Sequence, residues 1–99
     1  MNTSTASNKD VILQQVAAVP AGQISSYGAI AKAAGLPGYA RFVGHVLKGL
    51  PKDTKLPWHR ILNAQKRISF PPASMAFKEQ KRRLEEEGLT ILNDKVVSP

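Results

Sequence analysis

A Gly-Leu-Pro-Gly sequence at residues 35–38 splits the most regular apolar pattern of this chain into two short halves. Gly35 suits the position after a helix end, and Pro37 prevents a helix from continuing through the segment. On either side, apolar residues recur at helical spacing, which predicts one helix over Tyr27–Ala34 and another over Tyr39–Leu50. Two short helices joined by a tight turn are typical of a helix-turn-helix DNA-binding domain, although many small helical domains share this arrangement.

The second predicted helix presents two unlike faces. The residues expected to face the core are Phe42, Val43, Val46, Leu47 and Leu50. Arg41, His45 and Lys48 fall on the other side. Cations on this face strengthen the helix-turn-helix interpretation, because the second helix of the pair is the one that reaches DNA.

Charge is distributed unevenly along the chain. The net charge is +7, and residues 24–70 contain eight Lys and Arg residues but only one acid, Asp53. A block this one-sided repels itself unless it faces a polyanion, so nucleic acid is the leading partner. A ribosomal-type protein, or a merely soluble basic protein, is the alternative.

The other elements complete a mainly α fold. Ser7 is expected to cap a first helix that ends at Pro20-Ala21-Gly22. Residues 61–62 and 67–69 flank Asn63-Ala64-Gln65-Lys66 and predict a small β-hairpin, the wing of a winged helix-turn-helix domain. The predicted boundaries are a flexible tail at residues 1–7, a winged-helix DNA-binding domain at residues 8–92 and a C-terminal tail at residues 93–99.

A last helix is predicted from a cap at Ser74 to Glu87, closed by Gly88, with a short strand at residues 90–92 after it. Its expected i,i+4 ion pairs are Lys81 with Glu85, Arg82 with Glu86 and Arg83 with Glu87. The side chains expected to pack inward are Phe77 and Leu84, with Met75 and Leu89 at the ends. Most of this helix is therefore expected to face solvent.

The chain has no cysteine, which removes disulfides, thiolate metal sites and thiol nucleophiles together. Its apolar runs fall short of the ~20 residues that a membrane span needs, and residues 1–10 lack the apolar core of a secretory signal. We expect a cytoplasmic protein with no membrane contact, no metal ion and no cofactor.

The stretch Leu56-Pro57-Trp58-His59-Arg60-Ile61-Leu62 contains the only Trp of the chain and one of its two His residues. A large aromatic beside two polar side chains fits two interpretations about equally well. Either Trp58 is a core residue with solvated neighbours, or these side chains form a site.

Five sequences occur in an order that resembles the DNA-binding domain of the O6-alkylguanine-DNA alkyltransferases, over about residues 10–88. They are Val19-Pro20-Ala21-Gly22-Gln23-Ile24-Ser25-Ser26-Tyr27-Gly28-Ala29-Ile30-Ala31, Ala34-Gly35-Leu36-Pro37, Ala40-Arg41-Phe42-Val43-Gly44, Pro57-Trp58-His59-Arg60-Ile61 and Glu87-Gly88. In that family the fourth sequence reads Pro-Cys-His-Arg, and its Cys accepts the alkyl group. Because Trp58 stands at this place, the chain resembles the alkyltransferase-like proteins, which lack the acceptor.

The replacement has a chemical consequence. Displacement of an alkyl group from O6 needs a thiolate, whereas the indole N–H of Trp58 only donates hydrogen bonds. The resemblance therefore implies a non-enzyme that binds damaged duplex DNA and flips O6-alkylguanine into a pocket without removing the alkyl group. His59 and Glu87, similar to the relay that activates the Cys, would then be structural.

The resemblance also implies roles in DNA binding. Tyr27 would crowd the phosphate and help rotate the nucleotide out, and Arg41 would insert into the base stack in its place. The other expected DNA contacts are Ala40, Phe42, Gly44 and Lys48. The expected lesion pocket comprises Leu47, Pro57, Trp58, Ile61 and the loop from Ser69 to Ala73. Alternatively, Tyr27 is an ordinary helix N-terminal aromatic and Arg41 an ordinary phosphate contact.

Binding without repair achieves only marking, so the resemblance implies a hand-off to nucleotide excision repair proteins of the UvrA/UvrC type. The expected setting is a monomer at the bacterial nucleoid, on double-stranded DNA that contains O6-alkylguanine. A sequence-specific helix-turn-helix transcriptional regulator is the alternative from another class. An enzyme that uses a different nucleophile is a third.

Overall fold

Four helices and four short strands make up the fold in the computed structural model, which describes residues 7–98. The helices are α1 (Asn8–Ala17), α2 (Tyr27–Ala33), α3 (Ala40–Lys48) and α4 (Met75–Glu86). The strands are β1 (Ser25–Ser26), β2 (Ile61–Leu62), β3 (Thr90–Leu92) and β4 (Lys95–Ser98), with a single 3-10 turn at Trp58–Arg60. The mainly helical fold class is confirmed, whereas the predicted tail at residues 1–7 lies, apart from Ser7, outside the described residues.

Local sequence signals set the helix boundaries. Ser7, Ser26 and Ser74 each cap a helix, since each hydroxyl accepts a hydrogen bond from the N–H three residues on, at 3.0–3.1 Å. The turn between α2 and α3 contains Gly35 and Gly38, at φ of +77° and +88°. Residues with a side chain rarely adopt these backbone angles. The two glycines therefore allow the chain to reverse and α3 to pack against α2.

The core consists of two clusters that meet at β2. The first lies among α1, α2 and α3 and contains Ile12, Val16, Ile30, Ala31, Val43, Val46, Leu47 and Ile61. The second lies between α4 and the C-terminal strands and contains Leu62, Ile68, Phe77, Leu84, Leu89, Ile91 and Val96. Successive residues of a strand point to opposite sides, so Ile61 joins the first cluster and Leu62 the second.

The predicted hairpin at residues 61–69 is wrong. β2 pairs in parallel with β1, 36 residues earlier in the chain, by the register Ser25 to Ile61. Asn63 closes a tight turn, because its side-chain oxygen accepts hydrogen bonds from the N–H groups of Gln65 and Arg67 at 3.0 and 2.9 Å. The segments on either side of this turn therefore find other partners, and they do not pair with each other along a ladder.

The hairpin of this fold lies at the C-terminus, where a tail was predicted. β3 and β4 are antiparallel, joined by the two-residue loop Asn93–Asp94. Asn93 has φ of +59°, a conformation that Asn tolerates better than most residues. Val96 is only 5% exposed and belongs to the core. The predicted tail is thus wrong for residues 93–98, and Pro99 lies outside the described residues.

Three details of α4 differ from the prediction. Met75 is 80% exposed and does not pack inward, while Gln80, which was not predicted to be buried, is only 1% exposed. Arg83 pairs with Glu79 at 2.6 Å rather than with Glu87. The Arg82–Glu86 pair is confirmed at 2.6 Å, whereas no ion pair joins Lys81 to Glu85 within the described residues. Among residues 7–98, no helix is long and apolar enough to cross a membrane.

Candidate functional site

The solvent side of α3 carries the cations that were predicted to face DNA. Arg41, His45 and Lys48 are exposed, and the apolar side of the helix lies in the core. Ala40 and Gly44 are half-buried and lie one turn apart. Because both have little or no side chain, the backbone of α3 is accessible to a close ligand between the cations.

Tyr27 connects three parts of the chain. It is the first residue of α2, and its ring lies over Gly44 of α3, where an added Cβ would be 3.9 Å from the ring. Its hydroxyl oxygen accepts a hydrogen bond from the Ser69 hydroxyl at 3.2 Å. Tyr27 is therefore held between the helix-turn-helix and the loop that follows β2, although its ring remains half-exposed.

A cavity of about 490 Å³ opens between the end of α3, the 3-10 turn and one side of α4. Its apolar lining includes Leu47, Leu50, Trp58 and Phe70. The Trp58 and Phe70 rings meet edge-to-face with their centroids 6.0 Å apart. Trp58 is half-buried, so it is neither a full core residue nor a surface residue: one side packs on the core and the other forms cavity wall.

Two cations lie against the aromatic wall of this cavity. The Arg83 guanidinium carbon is 5.7 Å from the centre of the Trp58 ring, and Lys48 Nζ is 5.9 Å from the centre of the Phe70 ring. Both distances fall within the range of cation–π attraction. Arg83 and the rest of the α4 wall were not predicted, because the charged residues of this helix indicated a surface that faces solvent.

The residues predicted for the lesion pocket do not all line this cavity. Leu47, Trp58 and Phe70 line it, but Pro57, Ile61 and Ser69 do not. Ile61 is 1% exposed because β2 points it into the first core cluster. Ser69 instead faces the Tyr27 hydroxyl.

A polar network lies behind Trp58 and centres on the Glu87 carboxylate. Arg60 donates to both carboxylate oxygens at 2.7–3.2 Å, His59 Nε2 lies 2.8 Å from Oε2, and the Gly22 N–H donates to Oε1 at 3.1 Å. Arg60 also donates to the Val19 carbonyl at 2.8 Å. Arg60 is therefore not one of the cations available to a ligand, although it belongs to the basic block of the sequence.

The network fixes the protonation state of His59. Burial lowers the pKa of His59 below its ordinary value of 6.5, an effect that the hydrogen bond to Glu87 offsets in part. The hydrogen bonds from Arg60 lower the pKa of Glu87 to about 2, so this carboxylate is ionised at neutral pH. Since a carboxylate only accepts, Nε2 of the neutral His59 carries the hydrogen. Nδ1 is then a buried acceptor without a hydrogen-bond partner among residues 7–98.

Gln80 supports this segment from α4. Its side-chain nitrogen donates to the carbonyl oxygens of His59 and Ile61 at 3.1 and 3.0 Å. The junction between the 3-10 turn and β2 is therefore held from both sides, by Glu87 through side chains and by Gln80 through the backbone.

A family model described as 6-O-methylguanine DNA methyltransferase, DNA-binding domain, matches residues 7–89. The chain belongs to this family. A member named DNA base-flipping protein, from Vibrio parahaemolyticus, is 46% identical over 86 residues, which cover 83% of this chain and 84% of the relative. Alkyltransferase-like protein 1 of Schizosaccharomyces pombe is 44% identical over 80 residues, 81% of this chain and 74% of that protein.

A solved structure from the family has the same fold. It is S. pombe Atl1 in complex with damaged DNA containing O6-carboxymethylguanine, with a TM-score of 0.80 and 41% identity over 86% of this chain and 79% of that one. The predicted resemblance to alkyltransferase-like proteins is therefore confirmed, and so is the DNA-binding fold of the family.

Proposed function

We propose that this protein binds duplex DNA carrying O6-alkylguanine, holds the flipped base in the cavity beside Trp58 without removing the alkyl group, and marks the lesion for nucleotide excision repair. The observation that carries the proposal is the cavity itself. It is walled by the tryptophan that follows Pro57, and a His59–Glu87–Arg60 network lies behind it in a chain without any cysteine.

DNA binding is supported by the solvent side of α3. Arg41 and Lys48 are exposed there, and neither forms an ion pair within the described residues. Unpaired cations are free to neutralise phosphates or, for Arg41, to stack in the space that a flipped base leaves. A relative named for base flipping and a relative crystallised with damaged DNA also support DNA binding.

Base capture is supported by the size and lining of the cavity. A volume of about 490 Å³ lies in the range of small-molecule pockets. Trp58 and Phe70 offer apolar and aromatic surface, on which a base and its alkyl group are stabilised once they leave the stack. The Tyr27 ring packs over Gly44 of α3, and its hydroxyl bonds to Ser69. We assign Tyr27 the role of crowding the phosphate of the flipped nucleotide.

Binding without alkyl transfer follows from the nucleophiles present. Transfer needs a group that becomes a good nucleophile beside a base, and the indole of Trp58 has no basic lone pair. Neutral His59 keeps a free acceptor at Nδ1, but it has no thiol to deprotonate. The network therefore has a structural function, and a bound lesion must be passed to other proteins, for which those of the UvrA/UvrC type are our proposal.

The test is the affinity for one duplex sequence with either guanine or O6-methylguanine at a single position. A lesion reader should bind the O6-methylguanine duplex at least about tenfold more tightly, equivalent to ~1.4 kcal/mol. A sequence-specific regulator would instead respond to sequence changes and ignore the methyl group. Mass spectrometry after incubation should detect no alkyl group on the protein, and a protein adduct would overturn the non-enzymatic part.

Arg41→Ala separates an inserted or phosphate-binding side chain from a bystander. Because Arg41 is exposed and unpaired within residues 7–98, its loss should leave the fold intact and weaken binding to both duplexes. Lys9→Ala on α1, also exposed, is the matched control for loss of a cation away from α3. Unchanged affinity in Arg41→Ala would exclude a role for this side chain at the DNA.

A further inference from the structure

The rim of the cavity beside Trp58 has a strong excess of positive charge. The cations that line it are Lys48, Lys52, Lys78, Arg82 and Arg83, and the lining contains one carboxylate, Glu79. A guanine with a plain alkyl chain is neutral, so apolar walls alone would suffice to hold it. The cations point to an additional feature of the ligand.

Glu79 offsets only one of these five positive charges, and among the described residues Arg83 contacts it through Nε alone. Arg82 Nη2 and Arg83 Nε bind the carboxylate at 2.7 and 2.6 Å. These hydrogen bonds lower the pKa of Glu79 to about 2, so it remains ionised and bound. Arg82 also binds Glu86 at 2.6 Å, which leaves three lysines of the rim without an ion-pair partner in the described part of the chain.

Two of the cations lie beside the surface where the substituent of a bound guanine would be. Arg83 lies over Trp58 and Lys48 over Phe70, and these two rings are in edge-to-face contact. A group that extends from O6 along the aromatic wall therefore passes between the guanidinium and the ammonium. The cavity is open to solvent, so an anion placed there keeps part of its hydration and loses little by entering.

We propose that this cavity selects O6-guanine adducts whose substituent carries a carboxylate, and that Lys48 and Arg83 determine the preference. The inference rests on the proposed function, since the base must first enter the cavity. Partly exposed ion pairs contribute modestly, so the expected preference over a neutral adduct of the same size is about fivefold, equivalent to about 1 kcal/mol.

The experiment compares four duplexes of one sequence that carry guanine, O6-methylguanine, O6-carbamoylmethylguanine or O6-carboxymethylguanine at the same position. The carbamoylmethyl group has almost the shape of carboxymethyl but no charge. The ratio of its dissociation constant to that of the carboxymethyl duplex, measured by fluorescence anisotropy, isolates the carboxylate, because phosphate contacts cancel. The ratio should be about five in the wild-type protein and should fall at high salt.

Variants assign the preference to residues. Lys48→Gln and Arg83→Gln should each lower the ratio towards one, whatever they do to overall DNA affinity. Lys81→Gln removes a cation from α4 that does not line the cavity and should leave the ratio unchanged. Since Lys48 is exposed, its variant should fold normally even if the loss of the Arg83–Glu79 pair disturbs α4.

The outcomes separate this inference from the function on which it rests. Equal binding of guanine and O6-methylguanine would overturn the proposed function. A preference for O6-methylguanine together with a carboxylate ratio of one would overturn only the charge selection. A ratio of five that survives both cavity variants would show that Lys48 and Arg83 do not determine it.

Discussion

Replacement of Glu87 by Gln tests whether the network behind Trp58 stabilises the fold. Glu87 binds His59, Arg60 and the backbone of Gly22, and the side chains of Arg60 and Glu87 are only 16% and 17% exposed. Gln keeps the shape of the protonated acid and removes the charge. Arg60 would then be a half-buried cation with no carboxylate partner, which is an unfavourable state.

The pKa of Glu87 gives the size of the effect. Its value of about 2, against an ordinary value of 4.5, means that the folded protein favours the ionised carboxylate. At about 1.4 kcal/mol per pKa unit, this corresponds to about 3 kcal/mol of stability at pH 7. For a domain of this size, such a loss is a large fraction of the total free energy of unfolding.

The pH dependence identifies the charge as the cause. Because the pKa is lower in the folded than in the unfolded chain, the stabilisation is complete above about pH 5 and disappears as the pH falls through 4.5 towards 2. The difference in the free energy of unfolding between the wild type and Glu87→Gln should therefore become smaller over this pH range. The lowered pKa of His59 adds a separate loss of stability below pH 6.5, since the unfolded chain binds a proton that the buried ring resists.

Urea unfolding, followed by the fluorescence of the single tryptophan, measures both the loss of stability at pH 7 and its dependence on pH. Glu86→Gln is the control, because this neighbouring carboxylate is exposed and binds only Arg82 within the described residues. It should change the midpoint little. An unchanged midpoint for Glu87→Gln at pH 7 would refute the stabilising role, and a gap that persists at pH 2 would attribute the loss to packing instead of charge.

Three further changes test individual contacts. Tyr27→Phe removes the hydroxyl that meets Ser69 and should reduce the preference for the damaged duplex in anisotropy titrations, with no change in melting temperature. Gly44→Ala should fold normally, since its Cβ finds ordinary contact distances, yet bind both duplexes more weakly; full affinity would exclude a close approach of DNA to α3. Gln80→Leu leaves two buried carbonyls without their donor and should lower the free energy of unfolding by about 1–3 kcal/mol in urea, whereas wild-type stability would mean that water replaces the amide.

The helices could be predicted from the sequence because their signals are local. Ser7 and Ser74 cap the helices that they were expected to cap, and the turn at residues 35–38 ends α2 as the sequence indicated. Strand pairing could not be predicted in this way. β1 and β2 have two residues each, and nothing in either sequence identifies a partner so far along the chain. At the C-terminus, the Asn93–Asp94 turn was a usable signal for a hairpin that was overlooked.

The sequence indicated some of the residues that line the cavity, but it could not indicate which way the backbone turns each side chain. Leu47 and Trp58 do line the cavity, whereas β2 turns Ile61 away from it. Spacing alone allows Arg83 to pair with an acid four residues before or four after it. The choice of Glu79 follows from Glu87 lying at the helix end, where it turns to Arg60. Helical spacing cannot predict the contact between Glu87 and Arg60, which are far apart in the chain. The position of Arg83 on the cavity wall could therefore not be predicted either.

The same geometry shows what holds the segment that carries Trp58 in place. Arg60 joins the carbonyl of Val19 to the Glu87 carboxylate, and Glu87 in turn binds the N–H of Gly22. These contacts tie the segment before β1 to the end of α4 through the 3-10 turn that carries Trp58. The two side chains are only 16% and 17% exposed, so we expect removal of either member of this ion pair to cost about 3 kcal/mol, more than most single contacts contribute. The fold therefore depends on the pair whether or not a thiol stands at position 58, and Trp58 can lie on this rigid base as the wall of a binding site.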